Sequence, residues 1–159
     1  MSVKAIVRGA LIGALYVLLT LAVQPISSGL MQLRVSEALC VLPYFTPAAV
    51  PGLFIGCLTA NLVMGNPLPD VVFGSLATLL SAAAACGMKR LNWSKWLVPL
   101  PAVLINAAVV GYLLTYVYKM GVPWGISALY VAAGQALSCY ALGMPLFLGL
   151  ERFGKRLFD

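Results

Sequence analysis

The chain has 159 residues, 62% hydrophobic and only 9% charged, with a formal charge of +6 and no histidine. Soluble domains carry about a quarter charged residues, so this composition, with a mean hydropathy of +1.00, excludes a soluble core and marks an all-α integral membrane protein. The missing histidine removes imidazole metal ligands, Ser/His and Cys/His nucleophile pairs and HExxH sites. Without a Gly-x4-Gly-Lys-Ser/Thr phosphate loop, nucleotide hydrolysis by this chain alone is not expected either.

Nor does the positive charge point to nucleic acid, because basic residues interleaved with aromatics on a polar face are missing. Cys40, Cys57, Cys86 and Cys139 lie in apolar runs without a CxxC pair and read as small buried hydrophobes. No cofactor and no metal site is expected.

A helix needs roughly 20 residues to cross a hydrocarbon layer about 30 Å thick. The first candidate, about 5–23, follows Lys4 and Arg8 and could be mistaken for a signal peptide. Residues 22–29 (AVQPISSG) offer no convincing A-x-A cleavage site, so it reads as a mature helix. It carries Gly9 and Gly13, then Ala10 and Ala14, at i, i+4 spacing, which leaves a face nearly bare of side chain for another helix of this or a second chain.

Next comes RVSEALCVLPYFTP, residues 34–47, where Arg34 and Glu37 head an apolar run that Pro43 and Pro47 interrupt. The stretch to Met64 is one long kinked span or two, about 35–45 and 47–64, and Pro47 and Pro51 suit a helix start better than its middle. Three more spans follow at about 71–88, 96–118 and 126–150. Counting the middle stretch as two spans puts Lys4 and Arg8, the group Lys89, Arg90 and Lys95, and the group Arg152, Lys155 and Arg156 on one face, with only Arg34 and Lys119 opposite. By the positive-inside rule, this predicts one transmembrane domain over 1–159 with six helices and both termini cytoplasmic.

In this topology the polar residues inside the spans collect in the outer half: Glu37 at the start of the second helix, Asn61 near the end of the third, Asp70 and Ser75 around the start of the fourth. Asn106, Tyr112 and Tyr116 lie on the fifth helix, Gln135 on the sixth, and Trp124 in the loop before it. Polar groups in lipid are costly and face a bundle interior or a cavity, so the convergence predicts a solute site open to the outside. Each residue has a plainer reading. Glu37 can cap its helix beside Arg34, the amides can join helices, and the aromatics can form an interfacial belt.

The run LRVSEALCVLPYFTPAAVPGLFIGCLTANL, followed by DVVFGSLATLLSA, resembles the queuosine-precursor transporter (QueT) family. These are the substrate-binding S components of energy-coupling factor (ECF) transporters of the prokaryotic plasma membrane. The resemblance implies six helices with both ends cytoplasmic, and a role in capturing a 7-deazaguanine solute, 7-aminomethyl-7-deazaguanine foremost. It also implies partnership with a transmembrane coupling protein and two ATPases. The family's AxxxA coupling face is matched by Ala10 and Ala14. A guanine-like edge offers adjacent N–H donors to a carboxylate and a ring for aromatic contact, and Glu37 and Asp70 could divide the donors and the cationic amine. A different vitamin-like or nucleobase-like solute, or a self-standing facilitator, are the alternatives. A facilitator would want a polar path through the cytoplasmic half.

Overall fold

The computed structural model describes residues 2–24 and 33–153. Most of AVQPISSG, and the cations Lys155 and Arg156, therefore lie outside the described residues. Among the described residues there are six helices and no strand: α1 (Val3–Ala22), α2 (Val35–Phe45), α3 (Ala49–Val63), α4 (Asp70–Arg90), α5 (Lys95–Val117) and α6 (Trp124–Phe153). Four of them, α1, α4, α5 and α6, are long and apolar enough to cross a membrane, while α2 and α3 are shorter.

Prolines set the shape of the short pair. Pro43 falls in the first turn of the α-helical end of α2, where its missing N–H costs no bond. Thr46, held extended (φ −142°, ψ 125°) as a residue before proline prefers, stops the helix, and Pro47 leads the chain round into α3. The first part of α2, Val35–Val41, is a 3-10 helix. Its rise of about 2.0 Å per residue stretches eleven residues to about 20 Å, and the 15 residues of α3 reach about 22 Å. Despite its length α2 lies at the centre. Ser36 to Pro43 are all buried, against α1, α4 and α6.

Contacts between helix ends show that successive helices run in opposite directions. The start of α2 meets the end of α1 through Ser36 and Thr20, and α3 leaves the other end beside Gly9, close to Ala48. Asn61, near the end of α3, touches the start of α4 at Asp70. Lys89, at the end of α4, lies over the Tyr44 ring at the end of α2. Lys95, opening α5, pairs with Glu151 near the end of α6 at 3.0 Å. One end of the bundle thus gathers Lys89, Lys95, Glu151 and Arg152, and the opposite end gathers Arg34, Glu37, Asn61 and Asp70.

The closest helix approach is between α1 and α3. A Cβ on Gly52 would sit 2.5 Å from the Gly9 carbonyl oxygen, and one on Gly56 would sit 2.9 Å from both the Gly13 oxygen and the Tyr16 Cβ. The small stripe of α1 is therefore divided. Gly9 and Gly13 turn inward against α3, while Ala10 and Ala14 remain exposed. Elsewhere the outer surface is greasy, with Leu11, Leu18, Leu80, Leu104 and Leu129 all exposed, as suits helices whose outer faces meet lipid and not water.

Candidate functional site

The stripe that α1 turns inward reads Gly9, Gly13, Tyr16, Thr20, a repeat of three to four residues that is one face of a helix. Its two polar members reach the first turn of α2. Tyr16 Oη donates to Glu37 Oε1 at 2.6 Å, and Thr20 Oγ1 lies 2.7 Å from Ser36 Oγ while donating to its own helix at the Tyr16 carbonyl, 2.8 Å away. Glu37 is 4% exposed. Burying a carboxylate without partners is costly; here Tyr16 of α1 bonds one carboxylate oxygen and the Arg34 guanidinium, just ahead of α2, lies within electrostatic reach, while Cys139 of α6 donates its Sγ–H to the Glu37 backbone carbonyl at 3.5 Å. A cavity of about 10 Å³ lies beside Glu37, between Tyr16, Cys40, Leu53, Thr78, Ser81 and Ala82. This is about the least space that holds one water.

A second group centres on Asn61, whose amide is fully engaged. Its Oδ1 accepts from Asn66 Nδ2 at 2.8 Å and from Arg34 Nη1 at 3.4 Å, and its Nδ2 donates to the Asp70 carbonyl at 3.4 Å and to Cys57 Sγ at 3.5 Å. The Asp70 carboxylate faces both Arg34 and the Tyr118 phenol, although Tyr118 Oη is short of a well-formed hydrogen bond. Arg34 is therefore within electrostatic reach of two acids, Glu37 and Asp70. A third group, Asn106 and Gln135, joins α5 to α6 at 3.5 Å and reaches Glu37 indirectly, since Cys139 lies 3.8 Å from Gln135 Oε1.

Glu37, Asn61, Asp70, Asn106 and Gln135 thus belong to one connected polar interior. Ser75 is buried in the neighbouring wall, but its hydroxyl is spent on its own helix, donating to the Val71 carbonyl at 2.6 Å. Tyr112, Tyr116 and Trp124 are not brought to this interior, contrary to the grouping suggested by sequence. They are 54%, 57% and 46% exposed, and Tyr112 packs against Tyr116 with ring centroids 4.8 Å apart and the rings tilted by 39°. Tyr112 and Trp124 line an outward groove with Phe73, Ala108, Val109, Leu113 and Val117. The reason is helical phase: Asn106 and Val110 point inward on α5, and Tyr112 falls on the other side.

Sequence reading overlooked Tyr16, Thr20 and Ser36 and took Arg34 as a topology charge and a neighbour of the Glu37 cap, not as part of the site. The signal for Tyr16 was present, since it is the one aromatic residue of α1 and continues the Gly9, Gly13 phase. Three π-helical turns flank the polar interior: Asp70–Gly74, Leu113–Val117 and Leu137–Leu142. Such turns shift the phase of the residues after them and gather at functional sites. Among the described residues no three His, Cys, Asp or Glu side chains converge as a metal site would require.

A family model described as QueT transporter matches residues 6–152, nearly the whole chain and all the groups just described. The chain belongs to the QueT transporter family. One similar protein is the "Queuosine precursor transporter QueT" of Lactococcus lactis subsp. cremoris (strain MG1363), 38% identical over 77 residues, which is 47% of this chain and 45% of that protein. The match therefore spans less than half the length of the relative. No solved structure matches the chain. With four apolar helices long enough to cross a bilayer, this QueT-family chain is a multi-pass membrane protein.

Proposed function

We propose that this chain is the substrate-capture S component of an ECF-type importer, taking a queuosine precursor from outside the cell, with 7-aminomethyl-7-deazaguanine as its solute. The observation that carries the reading is Glu37: a buried residue whose carboxylate is tied to α1 by Tyr16 and whose backbone carbonyl meets Cys139 of α6, in a polar interior shared with Arg34, Asn61, Asp70, Asn106 and Gln135. Glu37 and Asp70 supply acceptors for a guanine-like edge and a cationic amine, and Arg34, within electrostatic reach of both, keeps the two acids from repelling each other. In this reading all six helices span, α2 and α3 thin the bilayer or run between longer neighbours, and the end bearing Lys89 and Lys95 is cytoplasmic.

Coupling falls to the outer side of α1. Ala10 and Ala14 are exposed and, with Gly9, Gly13, Gly52 and Gly56, line a shallow apolar groove between α1 and α3. A groove floored by glycine lets a helix approach closely. The proposed occupant is a helix of the transmembrane coupling protein, whose two ATPases supply the energy.

The test has two stages. Calorimetric titration of the purified chain with 7-aminomethyl-7-deazaguanine should show one site, and uptake into vesicles should require the coupling protein and both ATPases. Sustained uphill uptake by the chain alone would mean a self-standing transporter. Failure to bind any 7-deazaguanine would point to a different solute.

A further inference from the structure

Glu37 sits in a poor place to hold itself still. Its 3-10 helix is seven residues long, the Arg34 cap position makes no side-chain capping bond, and such helices have weaker backbone bonds than α-helices. Other helices must therefore help to fix the carboxylate. Tyr16 of α1 donates a hydrogen bond to it at 2.6 Å.

Tyr16 is itself held unusually firmly. It is 1% exposed, packs among Leu39, Leu42, Leu53 and Cys57, and its Cβ lies where a side chain on Gly56 of α3 would collide at 2.9 Å. The ring is thus clamped at the α1–α3 crossing, with its hydroxyl projecting toward α2. Thr20, one turn further, makes the parallel link to Ser36. Two hydroxyls of one helix face therefore set the position of the first turn of α2.

We propose that Tyr16 is a positioning residue for solute capture: it holds Glu37 Oε1 from the α1–α3 crossing so that the other carboxylate oxygen is presented to the solute. The inference rests on the reading of Glu37 as a solute contact. A hydroxyl that only filled core space would act on affinity independently of the charge at position 37. A hydroxyl that acts through Glu37 would not.

The experiment is a double-mutant cycle on the full chain in detergent or nanodiscs, titrated calorimetrically with 7-aminomethyl-7-deazaguanine. Tyr16→Phe keeps the ring and removes only the donor, and thermal melting and gel filtration check that the fold survives. Affinity should fall by about tenfold in the parent, as expected for a lost charge-assisted hydrogen bond. In a Glu37→Gln background the charge is gone and the remaining bond is about half as strong, so the same substitution should cost about threefold or less. An unchanged affinity for Tyr16→Phe in the parent, or an equal fall in both backgrounds, would overturn the role of Tyr16 while leaving the solute reading intact. A parent chain that binds no 7-deazaguanine would overturn that reading, and the inference with it.

Discussion

Gly52→Ala places a methyl group 2.5 Å from the Gly9 carbonyl oxygen and 3.2 Å from the Gly9 carbonyl carbon and Cα. An ordinary contact begins near 3.4 Å, so α1 and α3 must part by about 0.9 Å at that point. Two effects compete. Alanine is favoured over glycine within a helix by about 1 kcal/mol, whereas overpacking costs about 1–3 kcal/mol. The upper end of that range applies, because the obstructing atoms are backbone and cannot rotate aside. Separating the helices also weakens the dispersion contacts along the seam, since a gap of about 0.5–1 Å forfeits a quarter to a half of each. The net expectation is a loss of about 2 kcal/mol, seen as a melting temperature several degrees lower in detergent. Gly87→Ala is the control: a Cβ there meets nothing within 4 Å, so the helix preference acts alone and stability rises by up to about 1 kcal/mol. If Gly52→Ala melts with or above the parent, the α1–α3 seam is looser than the geometry requires and the clamp on Tyr16 goes with it.

Replacing Glu37 by Gln keeps shape and removes the charge, and calorimetry should record an affinity for 7-aminomethyl-7-deazaguanine at least about tenfold lower, since hydrogen bonds to charged groups are worth about 1.5–3 kcal/mol. Unchanged affinity would return Glu37 to a structural role. Asn61→Leu removes the acceptor of Asn66 Nδ2 and one acceptor of Arg34; a melting curve should show about 1–3 kcal/mol lost, and full stability would mean that water replaces the amide. Widening Ala10 and Ala14 together to Leu should leave solute affinity intact while abolishing uptake and co-purification with the coupling protein, because both residues face outward. Lost binding with an intact complex would contradict that. Tyr112→Ala and Trp124→Ala remove side chains that face away from Glu37, so each should bind solute within about twofold of the parent. A tenfold loss in either would place the solute at the outward groove.

Hydropathy, proline and the basic flanks are local properties, and from them the sequence by itself determined that the chain is an apolar, all-helical membrane protein with a break near Pro47. It also marked Glu37, Asn61, Asp70, Asn106 and Gln135 as residues that lipid would not accept. The rotation of each helix was not legible. In a soluble protein the polar face of a helix announces which side meets water, but lipid is as apolar as a packed core, so Ala10 and Gly9 look alike until α3 is in place. Only the tertiary structure turned Gly9, Gly13, Tyr16 and Thr20 inward and Ala10 and Ala14 outward. The same packing moved Tyr112, Tyr116 and Trp124 away from the acids and drew the start of α2 into a 3-10 helix at the centre. The partnership of Tyr16 with Glu37 spans 21 residues and two helices, and it exists because the glycines of α3 let α1 come close enough for a phenol to reach a buried carboxylate.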